Sequence, residues 1–241
     1  MKKGLFTFCS LLMLLSLVKA QKTDLSGSWT TEANGINHLL LISGSYFSHT
    51  LYGKEDGAFI MTMGGQYSTN DYGQTKATIE FNSQDPSMVG MTHYVDMKRE
   101  GDQLRITGTE GVVPAEWKSA DMTNETTPLT GPWLMAGRKN QNGEISRRET
   151  DVPRKTMKLL TGTKFQWIAF NTSTGEFFGS GGGSYEAKDG KYVEKIEFFS
   201  RDNTRVGAEL PFNFEVQGSD WHHSGKSSKG DPMYEVWTKR K

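Results

Sequence analysis

The sequence predicts an all-β protein built from two antiparallel up-and-down barrels in tandem. Helical periodicity is nearly absent, whereas short runs such as 212–216 (FNFEV) alternate apolar and polar residues, as strands do. Turn residues such as Asp189-Gly190 separate these runs at a spacing of roughly 8–12 residues, which is typical of an antiparallel meander. The pattern occurs twice in the chain, and an eight-stranded meander removes its exposed edges by closing into a barrel.

Matching motifs indicate that the chain is a duplication. The segment 25–29 (LSGSW) recurs as 129–133 (LTGPW), and an offset of 117–118 residues then relates the two copies through most of their length. A period this long indicates a duplicated domain, because solenoid repeats run roughly 20–50 residues. The sequence therefore predicts a first barrel over 21–118, a linker over 119–128 and a second barrel over 129–241, and protease cleavage in the linker is expected to release two folded halves.

Each copy is expected to contain about eight strands. In the second copy they lie near 131–138, 155–161, 163–170, 176–186, 190–199, 206–217, 219–225 and 234–240. The first copy gives a matching set. The main difference in length is a polar insertion in the second copy, around 138–153.

The first 20 residues have the pattern of a secretory signal peptide. A basic start is followed by an apolar stretch over 5–18, and a small residue, Ala20, ends a cleavage-site pattern. A transmembrane anchor needs about 20 apolar residues, more than this stretch has. The pattern therefore predicts export to the periplasm or the outside. The only cysteine, Cys9, lies inside this segment, so no disulfide or thiolate metal site is expected in the exported chain.

Charge and motifs exclude several classes of function. The whole chain has 28 Lys and Arg against 28 Asp and Glu, and removing Lys2, Lys3 and Lys19 leaves 25 against 28, a net charge of −3. This balance lacks the basic patch of a nucleic-acid-binding protein. The stretch 181–183 (GGG) precedes another strand rather than a helix, so it does not fit a phosphate-binding loop. No cofactor or metal is predicted.

The opening motif of each copy resembles a known superfamily. Residues 27–29 (GSW) and 131–133 (GPW) match the G-x-W of the lipocalin superfamily, in which the tryptophan plugs one end of the barrel. Residues 181–185, 192–197, 220–225 and 235–237 resemble secreted lipocalin-like domains of unassigned function from Bacteroides-type bacteria. The resemblance implies a barrel with a cavity, but it implies no particular ligand.

Two tryptophans distinguish the second copy from the first. Trp167 and Trp221 stand where the first copy has His49 and Leu104, so the barrel fold itself does not require them. They either fill a larger core or line a wider, aromatic cavity for a small molecule. Of the adjacent pair His222-His223, only one side chain can face the interior, since neighbouring residues of a strand point to opposite faces.

The favoured function is binding of a small apolar or amphipathic molecule, mainly by the second barrel. The expected ligand-binding residues are Phe165, Trp167, Tyr185, Tyr192, Glu194, Trp221 and His223. One alternative is an enzyme that uses the same cavity, with Glu194 or His223 as acid and base. Another is an envelope interaction module whose barrels are packed solid and whose surface binds a protein or a glycan.

Overall fold

The first barrel is formed by eight strands that follow one another in chain order. The computed structural model describes residues 24–70, 74–109, 113–121, 126–140, 142–227 and 230–241, so the predicted signal peptide lies outside the described residues. The strands are β1 (Gly27–Ala33), β2 (Ile36–Ser43), β3 (Tyr46–Gly53), β4 (Phe59–Thr69), β5 (Gln74–Asn82), β6 (Thr92–Glu100), β7 (Gln103–Thr107) and β8 (Glu116–Ser119). Antiparallel pairing of β1 with β8 closes the barrel.

The second barrel repeats this topology and adds one short strand. Its strands are β9 (Gly131–Lys139), β10 (Ile145–Arg147), β11 (Arg154–Leu160), β12 (Lys164–Asn171), β13 (Phe177–Lys188), β14 (Lys191–Phe199), β15 (Glu209–Gln217), β16 (Asp220–Lys226) and β17 (Pro232–Lys239). Antiparallel pairing of β17 with β9 closes eight of them, while β10 is hydrogen-bonded to β9. The predicted all-β architecture of two tandem antiparallel barrels is confirmed.

The short strand β10 was not predicted as a strand. It falls within the polar insertion at 138–153, and all three of its residues are exposed, Ile145 to 42%. A strand that buries nothing carries no alternation of apolar and polar residues, which is the signal that sequence analysis uses.

The helical content of the described residues consists of two 3-10 turns at equivalent places in the two barrels. They span Pro86–Met88 and Asn203–Arg205, and each follows an aspartate whose carboxylate accepts a backbone N–H. None of the described residues belongs to a helix with the length and apolar character needed to cross a membrane.

The G-x-W tryptophans close the barrels as buried side chains. The indole Nε1 of Trp29 donates a hydrogen bond to the carbonyl of Leu25 (3.0 Å), and that of Trp133 donates to the carbonyl of Leu129 (2.7 Å). Both rings are almost fully buried, at 0% and 2% exposure. The geometry is that of a structural plug, since each ring satisfies its one donor within its own lead-in segment.

A β-bulge at the same position in each copy turns one aromatic side chain outward. On β14, Ile196 pairs with Gly183 and Phe198 pairs with Gly182, so Glu197 is an extra residue between them. The strand pattern places Phe198 on the inward face with Tyr192 and Glu194, but the extra residue reverses that alternation. Phe198 therefore packs in the cluster between the barrels. The corresponding bulge of the first barrel lies between β4 and β5.

The two barrels pack against each other through their outer faces with approximate two-fold symmetry. Aromatic contacts cross the boundary: Phe81 with Phe170 (5.0 Å between ring centroids), Tyr52 with Phe198 (5.1 Å), and Phe59 with Phe177 (6.2 Å), while Phe59 also contacts Phe198 (6.3 Å). Exchanging the two copies interconverts the first two contacts and maps the third onto itself. The interface therefore has the self-complementary form that symmetric dimers use.

Polar contacts complete this interface. The side chain of Gln166 is fully buried and bonds both Thr50 (3.1 Å) and Thr62 (2.9 Å) of the first barrel. The guanidinium of Arg240 makes two hydrogen bonds to the carboxylate of Glu80, at 2.7 and 2.8 Å. Leu39 and other apolar residues of the first barrel share one buried cluster with residues of the second. The barrels therefore have a common core between them as well as their own interiors.

Candidate functional site

A cavity of about 630 Å³ occupies the interior of the first barrel. It lies within the range of roughly 300–1,000 Å³ that is typical of small-molecule sites. Leu40, Phe47, Ala77 and Trp117 are among its lining residues. The cavity reaches the surface at the end of the barrel where β5 and β6 are connected, since the exposed residue Gln84 also lines it.

The lining is mostly apolar and contains four methionines. Met61, Met63, Met88 and Met97 contribute to the wall. Methionine has a flexible, unbranched and polarisable side chain, and it adapts to ligands of different shape. The wall can therefore adapt its shape to an apolar ligand, because these side chains are flexible.

The cavity exists because the first barrel has smaller side chains at matched positions of the strands. The two sets of strand pairings align the copies residue by residue. First-barrel residues and their second-barrel counterparts are Leu40 and Lys158, Thr75 and Tyr192, Ala77 and Glu194, Val95 and Phe212, and Ile106 and His223. At three of these five positions, those of Tyr192, Glu194 and Phe212, the second barrel has the clearly larger side chain, so its interior is filled there where the first barrel's is open.

Two histidines lie beside Trp117 at one side of the cavity. Nε2 of His49 and Nδ1 of His38 are 3.2 Å apart, and the two rings are stacked. Trp117 meets the ring of His49 edge-on, at 5.3 Å between centroids. Burial, followed by the neighbouring His38, lowers the pKa of His49 from 6.5 to about 3. His49 is therefore uncharged at neutral pH.

The structure brings six of the seven predicted ligand-binding residues together inside the second barrel. Each is at most 5% exposed. The six are Phe165, Tyr185, Tyr192, Glu194, Trp221 and His223. They pack against one another: the ring of Tyr192, for example, contacts those of Phe165, Trp221 and His223. Side chains expected to line a cavity are thus each other's packing partners, and their binding of a ligand stays a prediction.

Trp167 lies at the margin of this cluster and is only partly buried. Its ring packs edge-on against Phe199, at 5.5 Å. The opposite residue on β13 is Gly181, where an added Cβ would come within 2.7 Å of the indole Nε1. The indole thus occupies space that a side chain at position 181 would need. In the first barrel the matching pair is His49 and Met63.

An ion pair that the sequence analysis did not identify lies at the centre of the second barrel. Nζ of Lys158 is 2.7 Å from Oε1 of Glu194, and both side chains are less than 8% exposed. The hydroxyl of Tyr192 donates to the same oxygen, at 2.8 Å. Four aromatic rings surround the ammonium at 5.0–6.0 Å from Nζ to the centroid: Phe165, Tyr192, Trp221 and Trp237. The signal available in the sequence was Lys158 itself, a charged residue at an inward-facing position of β11, which calls for a buried partner of opposite charge.

His223 has no close polar partner. Its Nδ1 lies 3.7 Å from Oε2 of Glu235, which is too long for a hydrogen bond, and neither ring nitrogen has a hydrogen-bond partner. Burial, followed by the charge of Lys158, lowers the pKa of His223. The same carboxylate oxygen of Glu235 accepts a hydrogen bond from Trp237 (3.1 Å). His223 is thus a neutral ring that contacts Tyr192 and Phe212 edge-on and Trp221 at a tilt.

Comparisons with known proteins give no assignment. No family model matches the chain. No curated protein matches it either. Among the described residues, no group of three or more His, Cys, Asp or Glu side chains is arranged to hold a metal ion.

Proposed function

We propose that the protein binds a small apolar or amphipathic molecule in the interior of the first barrel. The observation that carries this proposal is the cavity of about 630 Å³ with its mostly apolar wall. A closed barrel with small interior side chains gains nothing in stability from an unfilled core, since empty volume forfeits packing contacts. An apolar ligand would restore those contacts.

The placement in the first barrel departs from the sequence analysis, which favoured the second. The reason is the packing of Tyr192, Phe212 and Trp221, which occupy interior space that their smaller first-barrel counterparts leave open. Within this proposal the second barrel acts as a packed support, joined to the first through the shared core around Phe170.

The acid–base alternative is less well supported by the geometry. Glu194 is paired with Lys158 and Tyr192, and its side chain is 7% exposed. An acid or base needs access to the proton it transfers. Neither Glu194 nor His223 has such access in this arrangement. A solid interaction module is favoured for the second barrel alone, since the first has the cavity.

The proposal includes export and a lipocalin-like ancestry. The basic start and apolar stretch of residues 1–20 support a signal peptide, which would place the barrels in the periplasm or outside the cell. The G-x-W motif at 27–29 and 131–133, with its buried tryptophans, supports the likeness to lipocalins.

A fluorescence titration with a neutral apolar dye, N-phenyl-1-naphthylamine, tests the proposed binding. The full chain without residues 1–20 is expected to bind one dye molecule and enhance its emission. Ala77→Phe, which fills the cavity, is expected to abolish this binding. The matched control is Lys76→Phe, because the neighbouring strand residue points away from the interior. Equal binding by Ala77→Phe and the unsubstituted protein would refute the site.

A further inference from the structure

The charge of the cavity wall restricts the chemical class of the ligand. None of the described residues that line it is a lysine or an arginine. Its one carboxylate, Asp85, lies at the exposed mouth and accepts hydrogen bonds from the backbone N–H and the hydroxyl of Ser87. Burying a charge without a partner is costly. A carboxylate or an ammonium group inside the cavity would have no counterion.

Most polar groups of the wall already have partners within the protein. The hydroxyl of Thr75 is 3.1 Å from that of Thr69. The side-chain oxygen of Asn82 accepts two backbone N–H bonds, and its amide nitrogen lies 3.1 Å from the sulfur of Met88. The hydroxyl of Thr109 donates to a backbone carbonyl at 3.2 Å. These groups do not need a ligand to complete their hydrogen bonding.

His49 is the buried exception. Its described hydrogen bond uses Nε2, which faces Nδ1 of His38 at 3.2 Å, so Nδ1 of His49 is the ring nitrogen left for a ligand. Only one proton can lie between the two rings, and either ring can supply it. When His38 donates, Nδ1 of His49 is itself a donor, and when His49 donates, Nδ1 is an acceptor. The pair can therefore bind either a carbonyl or a hydroxyl oxygen.

We infer that the ligand of the first barrel has an apolar body and one uncharged oxygen group, a hydroxyl or a carbonyl, that hydrogen-bonds to Nδ1 of His49. The inference rests on the proposed function, because it names the chemistry of the molecule held in that cavity. His49 is 5% exposed, so the hydrogen bond forms away from bulk water. There it discriminates strongly between a ligand that has the oxygen and one that lacks it.

Competition against N-phenyl-1-naphthylamine at neutral pH tests the inference. Decanol, decanoate and decylamine have the same apolar chain and differ in the charge of the head group. Decanol is expected to displace the dye at a concentration at least about tenfold lower than either charged competitor, because the charged heads must give up water without a counterion. Equal displacement by decanol and decanoate would overturn the inference.

His49→Leu separates the head-group contact from apolar binding. This variant replaces the imidazole with an apolar side chain of similar reach, and its affinity for decanol is compared with its own affinity for the dye. Decanol should bind about three- to tenfold more weakly, the range of one neutral hydrogen bond. The control is His222→Gln, a histidine of the second barrel that does not line the cavity, which should leave the preference unchanged.

The outcomes distinguish the inference from the proposal on which it rests. Failure of the dye to bind the unsubstituted protein would overturn the proposed function itself. Normal dye binding with an unchanged affinity for decanol in His49→Leu would overturn the role of His49 and leave the cavity site standing. Circular dichroism of each variant checks that the barrel is folded.

Discussion

Nζ of Lys158 lies 2.7 Å from Oε1 of Glu194 in the closed interior of the second barrel. The same two positions of the first barrel hold Leu40 and Ala77, which line its cavity. The same pair of positions thus holds a hydrogen-bonded ion pair in one barrel and two cavity-lining apolar side chains in the other. The protein's stability depends on keeping both partners of such a pair, because removing one leaves an uncompensated buried charge.

Lys158→Met is expected to lower the free energy of unfolding by about 3–5 kcal/mol, because it leaves a buried carboxylate without its cation. Adding Glu194→Gln should restore most of that loss, since the double variant buries no charge. Urea unfolding followed by circular dichroism measures both. Lys98→Met, which breaks a pair whose side chains are 75% and 69% exposed, is the control and should not move the midpoint. Additive effects of the two substitutions would contradict the pairing.

The buried His49 makes the first barrel sensitive to acid. Its pKa is about 3 when folded, against an ordinary 6.5, so the unfolded chain takes up the proton first as the pH falls. Its contribution to stability is complete above pH 6.5 and is lost between about pH 6.5 and 3, at about 1.4 kcal/mol per pH unit. Burial lowers the pKa of His38 as well, which acts in the same direction.

His49→Leu should therefore reduce the decline in unfolding free energy over this pH range. Urea midpoints measured at several pH values test this against the unsubstituted protein. Gln84→Leu, at the exposed mouth of the cavity, removes no titratable group and should keep the original pH dependence. Identical pH profiles for His49→Leu and the unsubstituted protein would show that His49 does not titrate in this way.

Much of the fold could be predicted from the sequence because strands and turns leave local patterns. The repeat of G-x-W at 27–29 and 131–133 and the alternation over 212–216 indicated two barrels. The outward turn of Phe198 could not be predicted, because it depends on one extra residue, Glu197, whose location is a matter of pairing between strands. Alternation within a single strand does not show which partner carries a bulge.

The location of the cavity was harder to predict than its existence. Trp221 and Tyr192 were correctly placed inside the second barrel, but whether an aromatic ring lines or fills a space depends on the summed volumes of all its neighbours. The sequence offered one usable signal, the smaller residues Thr75 and Ala77 at the matching positions of the first copy. That comparison needs the register of the strands, which the structure provides.

Cleavage in the predicted linker, 119–128, is expected to leave the two barrels associated. The interface shares a buried cluster that includes Leu41 and Phe170, and Arg240 bonds Glu80 across it. Separation would expose these groups to water, so we expect cleavage to give a nicked complex and not two free halves. Size-exclusion chromatography after limited proteolysis should show one peak containing both fragments. Elution of two separate folded fragments would contradict this interface.

Gly183 allows close approach of two strands at the bulge of the second barrel. An added Cβ would lie 2.0 Å from the backbone oxygen of Lys195, and the matching Gly65 would place one 2.1 Å from that of Thr78. Gly183→Ala and Gly65→Ala should each destabilise the protein by about 1–3 kcal/mol, because backbone must move. Thermal unfolding measures this loss.

The control for these glycines is Gly218→Asn, in a turn where nothing lies within 4 Å of an added Cβ. Its φ of +61° is one that asparagine tolerates, so the melting temperature should change little. A similar loss in Gly218→Asn and Gly183→Ala would show that close strand approach is not the cause.

If interior side-chain size alone decides which barrel is open, the second barrel can be opened by giving it first-barrel residues. Lys158→Leu and Glu194→Ala together remove the ion pair without leaving one partner unpaired. Trp221→Leu removes one of the two indole rings beside it. The combined variant should bind two molecules of N-phenyl-1-naphthylamine instead of one, at some cost in stability from the lost aromatic packing. Adding Ala77→Phe should close the first site and return the stoichiometry to one. Circular dichroism establishes that the variants are folded, and a folded triple variant that still binds one dye molecule would show that the difference between the barrels does not come from these three side chains.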